Sequence, residues 1–174
     1  MEGDKPTTVT CTVLGMDHTN FCYRVCSVCE RTLPDNPSSL CRFCNFNSNN
    51  TSSSSNRLFR LLQISIATDT KVKVVICFDR AARVFFGCSA DDFFHFAKLH
   101  PFAATTASKI LQGQMFRMTL SKPKNGNAQH LRISSVVPLS SSYRPTIETL
   151  REIDRKNKWT CKKSYRSLLM PASS

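Results

Sequence analysis

The sequence has no long apolar run and few glycines, and each lack removes a class of protein. No uncharged apolar stretch in its 174 residues approaches the ~18 residues that a membrane span requires. The start, MEGDKPTTV, has no apolar segment behind a basic cap, so we expect no secretory signal and a soluble, intracellular protein. Five glycines form no phosphate-binding loop. Membrane, secreted and glycine-loop nucleotide-binding proteins are therefore not expected.

The patterns of a catalytic site are missing as well. His-x-Glu, which a zinc deaminase requires, occurs nowhere, and no proline precedes either CxxC pair. Ser89 to Asp92 has the pattern of an N-cap with its capping-box partner, which predicts that a helix starts there. Asp91 and Asp92 fall in the first turn of that helix, where acidic residues are favourable anyway. No spacing typical of ligands or bases relates the four histidines, which are His18, His95, His100 and His130. We expect that the chain is not an enzyme.

Acidic residues are scarce in the second part of the chain. Residues 1–70 hold six basic and six acidic side chains, whereas residues 71–174 hold eighteen and six, which is the whole net charge of +12. The hydrophobic fraction of 41% is enough to bury a core. A neutral first part and a basic second part indicate that the second part faces a polyanion.

Cysteine is abundant, and its spacing is the most specific motif in the sequence. Cys26-x-x-Cys29 is followed after eleven residues by Cys41-x-x-Cys44. Two such pairs bring four thiolates together, which is the ligand set of a structural zinc site with no open position. The spacing predicts one structural Zn²⁺ and makes unligated buried cysteines the weaker alternative. We interpret the scattered cysteines as small core or surface thiols.

The alternation of apolar residues predicts five main strands, with the cysteine segment inserted after the first and a helix between the third and fourth. This is the wiring of an OB-fold barrel, so the predicted fold class is all-β with short helices, an inserted zinc ribbon and a C-terminal helix. We expect a flexible N-terminus at 1–8 and an OB-fold domain at 9–143. Within that domain the ribbon occupies about 22–47 and a flexible Ser/Asn loop 47–56. A C-terminal helix, starting at 146 and reaching 157, and a basic tail make up 144–174.

In the strand Lys71–Phe78, the alternation predicts that Val72, Val74, Ile76 and Phe78 face the core. The same alternation in the last two strands predicts two further inward sets: Phe116, Met118 and Leu120, and Leu131, Ile133 and Val137. Four basic residues would then line the opposite side of the sheet: Lys71, Lys73, Arg117 and Arg132. Lys122 and Lys124 flank the loop between the last two strands. In an OB-fold this face and this loop contact oligonucleotides, although solvated charges on an amphipathic sheet would give the same pattern.

The assembled motifs resemble the C-terminal DNA-binding domain of the replication protein A large subunit. The zinc knuckles are the most specific part of a match that covers roughly residues 21–140. The matching segments are Tyr23-Arg-Val-Cys26-x-x-Cys29, Cys41-Arg-Phe-Cys44, Phe59-Arg-Leu-Leu-Gln-Ile-Ser, Val74-Val-Ile-Cys-Phe78, Phe86-Gly87-Cys-Ser-Ala, Phe116-Arg-Met and Leu131-Arg-Ile-Ser-Ser-Val-Val-Pro138. Phe85-Phe86-Gly87 and Gly113-Gln114-x-Phe116 are also similar to the N-terminal domain of the DNA damage-induced apoptosis suppressor, noxin.

The resemblance implies single-stranded DNA binding in replication or repair, and hence a nuclear setting. It also implies that Phe78 stacks on a base, against the alternation described above, and that the helix after the barrel joins a partner protein. Two other functions stay open for the same fold: a protein-interaction module of a replication or repair complex, and a binder of single-stranded RNA.

Overall fold

The computed structural model describes residues 5–44, 55–123 and 129–168, and it is mostly β-sheet with four helices in this part of the chain. Among the described residues, no helix is long and apolar enough to cross a membrane. The elements in chain order are β1 (Thr7–Met16), β2 (Cys22–Cys26), β3 (Thr32–Leu33), β4 (Ser55–Ala67), β5 (Val72–Phe78), α1 (Asp79–Phe86), α2 (Ala90–Leu99), α3 (Ala103–Leu111), β6 (Met115–Ser121), β7 (Leu131–Pro138) and α4 (Thr146–Leu168).

Five of the strands pair in a closed cycle, which is called the ring below. β1 pairs with β4 and β6, β6 with β7, β7 with β5 in parallel, and β5 with β4. β4 can serve three partners because it bends where its register shifts, between Leu61 and Ile64, and there Gln63 has a φ of 62°. Its first half pairs with β2, which in turn pairs with β3. β2 and β3, which lie next to the cysteine loops, are therefore joined to the ring through the first half of β4.

The interior of the ring is dominated by phenylalanine. Phe59 stacks on Phe86 with ring centroids 4.8 Å apart, and Phe93 meets Phe86 edge-on at 4.6 Å. On the other side of the core, Phe85 packs edge-on against Phe116 at 4.9 Å. These five side chains are fully buried. They come from β4, β6, α1 and α2, so the core joins the helices to the strands.

The predicted inward face of β5 is wrong. Val75 and Cys77 are fully buried, whereas Val72 is 62% exposed and Phe78 only half-buried. The alternation gave the wrong face because residues from Val74 to Phe78 are apolar on both faces of the strand. In addition, the first residues of β5 lie beyond the edge of the core. Lys73 pairs with the buried Ile66 and thus shares the inward parity. Phe78 therefore lies on the outer face of the ring.

The strands that follow the helices agree better with their patterns. The predicted inward set in β6 is confirmed, since Phe116, Met118 and Leu120 are buried. In β7 the register shifts, because Thr119 pairs with Ser135 while Leu120 pairs with Ile133. One extra residue enters β7 at this bulge, so Val136 is buried and Val137, which was predicted to face inward, is half exposed.

Between β5 and β6 the structure has three helices, and α3 was not predicted. α1 ends at Gly87, which has a φ of 70°. The predicted cap of α2 is confirmed: the Ser89 hydroxyl accepts a hydrogen bond from the Asp92 backbone N–H at 3.1 Å. α3 buries mainly small side chains, Ala103 and Ala107, and these give a weak hydrophobic pattern. α4 starts at the predicted residue and continues past the predicted end at 157 to Leu168.

Candidate metal centre and nucleic-acid interface

The four predicted cysteine ligands converge on one point. Their Sγ atoms all lie within 4.8 Å of one another, with Cys26 and Cys44 separated by 3.6 Å and Cys29 and Cys41 by 3.5 Å. A tetrahedral site with Zn–S bonds of ~2.3 Å has sulfur atoms about 3.8 Å apart. The residues therefore fit a zinc ion, and with four sulfurs no position stays open for a substrate.

The backbone around the first cysteine of each pair favours a thiolate. The Val28 N–H donates to Cys26 Sγ at 3.5 Å, and the backbone N–H groups of Cys29 and Val28 lower the pKa of Cys26 to about 6. The N–H groups of Cys44 and Phe43 lower the pKa of Cys41 in the same way. Cys44 behaves oppositely, since hydrogen bonds to the sulfurs of Cys29 and Cys26 raise its pKa to about 12. Four simultaneous thiolates thus require a cation among them.

A buried arginine connects the cysteine-bearing loops to the ring. Arg24 of β2 is only 4% exposed, and its guanidinium donates to the Pro34 carbonyl at 2.8 Å and to the Asn36 carbonyl. It also donates to Ser55 Oγ of β4 at 3.0 Å. Within the described residues, no carboxylate pairs with it. Sequence reasoning missed this role, because one arginine in a short strand carries no signal that it is buried.

On the outer face of the strand ring, the side chain of Phe78 lies between two arginines. The Arg132 guanidinium lies 4.9 Å from the centroid of the Phe78 ring, which places a β7 cation over a β5 aromatic. Arg60 of β4 stands directly opposite Phe78 in the strand register and is exposed. Arg60 was not among the predicted residues. The sequence did indicate its position. Successive side chains of a strand point to opposite faces, and Arg60 follows Phe59, which faces the core.

The other predicted nucleic-acid residues are spread around this group. Arg117 is exposed on the outer face of β6. Ser121, which pairs with Arg132, lies four residues further along β6, so Arg117 and Ser121 are about 14 Å apart. Lys71 is exposed at the turn before β5, and Lys122 is exposed just after β6. Lys73 is half-buried on the inward parity, so the prediction that it shares a face with Arg117 and Arg132 is wrong. Lys124 lies outside the described residues.

Comparison with known proteins relates this geometry to a family. No curated protein matches the sequence significantly. Among solved structures, yeast RPA bound to ssDNA is similar with a TM-score of 0.62 and 20% identity, over 90% of this chain and 88% of the other. A replication protein A heterotrimer bound to ssDNA is similar with a TM-score of 0.63 and 16% identity, over 88% of this chain and 36% of that one. The chain thus spans about a third of that second relative.

The sequence itself gives the decisive match. The model of the replication factor-A C-terminal domain matches residues 7–142, which include every strand of the ring and all four clustered cysteines. The match covers well over half of the chain, and the structural similarity shows the same fold. We conclude that the chain belongs to the replication factor-A C-terminal domain family.

Proposed function

We propose that the chain is a non-enzymatic OB-fold protein that binds single-stranded DNA in replication or repair. The observation that carries the proposal is the outer-face group of Phe78, Arg132 and Arg60. Single-strand binding combines aromatic platforms with cationic side chains along the backbone, and each stacked base contributes ~1–3 kcal/mol. The related RPA structures hold ssDNA, which supports the same ligand for this chain.

In this proposal a base stacks on the ring of Phe78. Arg132 occupies the space over that ring in the free protein, so its guanidinium has to move aside, where it can pair with the phosphate of the incoming nucleotide. Arg117 and Arg60 continue the cationic track on the outer face. Lys71 and Lys122 contribute charge from the ends of β5 and β6, and Lys73 from the start of β5. Lys124, which lies outside the described residues, is included because of its position in the sequence alone.

The fold and metal assignments are part of the same proposal. The closed cycle of β1, β4, β5, β7 and β6 is the five-stranded barrel, within a domain of residues 9–143. The inserted ribbon at about 22–47 holds one structural Zn²⁺ through Cys26, Cys29, Cys41 and Cys44. The ion stabilises the ribbon and takes no part in a reaction.

A second function, protein interaction, is favoured by an apolar groove of about 250 Å³ between α4 and the α2–α3 connection. Leu99 and Phe102 are 79% and 77% exposed at its rim, and Ile153 of α4 lines it. We place a protein partner of the C-terminal helix here, as in a heterotrimer. Action in replication or repair implies a nuclear location.

The test is a titration of the zinc-loaded full chain with single-stranded DNA, single-stranded RNA and duplex of one sequence, at several salt concentrations. Phe78→Ala should weaken binding of single-stranded DNA by about tenfold or more, because one stacking platform is lost. Phe102→Ala is the matched control, since it removes an exposed phenylalanine outside the proposed face. Equal affinities of the two variants would count against the Phe78 platform. Tighter binding of RNA than of DNA would favour the RNA-binding alternative.

A further inference from the structure

The last part of the chain has a charge pattern that the outer-face site does not explain. Asp154 is the last acidic residue, and the twenty residues after it include six basic ones. They are Arg155, Lys156, Lys158, Lys162, Lys163 and Arg166. All six belong to α4, so the cationic segment is helical along its whole length.

α4 has two parts that differ in their surroundings. Near its start Thr146, Ile147 and Leu150 are buried, and the helix packs against α3 and α1. From Arg155 to Lys158 every residue is exposed. Among the side chains that the structure describes, those near the start of α4 are therefore packed, whereas those from Arg155 to Lys158 are open to solvent.

The spacing of three cations places them in one row. Arg151, Arg155 and Lys158 follow one another at intervals of four and three residues. At 3.6 residues per turn, these three positions fall within an arc of about 60° and extend about 10 Å along the helix axis. We refer to these three positions as the α4 stripe. No apolar residue between Arg151 and Lys158 falls within this arc.

The acidic residues of α4 are already paired. Glu152 accepts from Arg144 at 2.7 Å and from Lys156 at 2.8 Å, which lowers the pKa of its carboxyl to about 2. Asp154 pairs with Lys158 at 2.8 Å. Within the described part of the chain, neither Arg151 nor Arg155 has an ion pair. Arg155 Nε donates to the Arg151 carbonyl at 3.4 Å, and the remaining donors of these two exposed guanidinium groups are available to an external anion.

We propose that the α4 stripe is a second phosphate-binding surface, which engages the backbone of a strand too long for the outer face of the ring alone. The proposal rests on the proposed binding of single-stranded DNA. A phosphate backbone is favoured over an acidic protein because protein interfaces have cores rich in aromatic residues and poor in charge. The stripe has the opposite composition. Pairing of cations with phosphates releases counterions and requires no apolar contact.

The experiment compares two double variants of the zinc-loaded full chain that lose the same charge. Arg151→Gln with Arg155→Gln removes two members of the stripe. Lys109→Gln with Lys156→Gln removes two exposed cations outside it, one on α3 and one on another face of α4. Each protein is titrated with 10-nucleotide and 40-nucleotide single strands over a range of salt, and circular dichroism and zinc content verify the fold.

We expect the stripe variant to bind the 10-nucleotide strand like the wild type and the 40-nucleotide strand several-fold more weakly than the control variant does. The slope of log K against log salt for the long strand should fall by about 1.4, since each lost phosphate contact contributes about 0.7. Equal affinity and equal salt slope of the two double variants for the long strand would overturn the proposal. The same result is expected if the stripe binds an acidic protein, because it then contacts no phosphate. Wild-type protein that binds neither strand would refute the proposed function itself.

Discussion

The ring and the ribbon are adjacent parts of one sheet, yet they are stabilised in different ways. The ring buries a continuous core of more than twenty side chains, including five phenylalanines that contact one another or their neighbours. Among the residues that the structure describes, the buried cluster of the ribbon comprises Cys26, Leu33 and Cys41, with Cys44 against it. An apolar core this small cannot offset the entropy of ordering the loops between the cysteines. In the proposal made above, the metal and Arg24 stabilise the ribbon, whereas hydrophobic burial stabilises the ring.

The largest effect should come from removal of the metal. Chelation of zinc, or Cys29→Ser, should unfold the ribbon and leave the ring folded, because the small apolar cluster of the ribbon does not by itself offset the entropy of ordering its loops. Zinc binding by small finger peptides contributes ~10–16 kcal/mol of apparent free energy at neutral pH. Amide hydrogen exchange provides the measurement: protection should disappear in β2 and β3 and persist in β6 and β7. Equal loss of protection in both regions would show that the ring also depends on the metal.

The reverse perturbation should act on the ring. Phe93→Ala removes a fully buried ring that contacts Phe59, Phe86 and Phe21, so the free energy of unfolding should fall by ~3–5 kcal/mol. Phe43→Ala is the matched change in the ribbon, where the side chain is 66% exposed beside Arg31, and it should alter stability by less than ~1 kcal/mol. Denaturant unfolding of zinc-loaded protein measures both. Similar losses for the two variants would contradict the division between the regions.

A smaller effect is expected where the regions meet. Arg24→Met leaves the carbonyls of Pro34 and Asn36 without their buried donor, and each such loss costs ~1–3 kcal/mol. The ordered ribbon becomes less stable relative to its metal-free state, so zinc affinity should fall about tenfold or more. Arg31→Met is the control, because Arg31 is exposed and its guanidinium lies over the exposed ring of Phe43, 3.5 Å from the ring centroid. Competition with a chromophoric chelator gives both affinities, and equal values would exclude the proposed role of Arg24.

The accuracy of the sequence-based predictions followed the strength of each local signal. The cysteine spacing predicted the four-sulfur cluster, Ser89 predicted the start of α2, and the alternation in β6 predicted its buried face. Each of these signals comes from a few neighbouring residues. The prediction for β5 was wrong because apolar residues occur on both faces of that strand. The helix α3 was not predicted because the alanines on its buried face are only weakly hydrophobic.

By itself the sequence determined which residues are able to bind metal and where the charge is concentrated, because side-chain chemistry and spacing are local properties. Only the tertiary structure decided the rest. The bend at Gln63 and the bulge in β7 set which parity faces inward, and that choice placed Phe78 beside Arg132 and Arg60 on the outer face. The burial of Arg24 depends on segments ten or more residues away. Such relations arise when distant segments pack together, and no local pattern contains them.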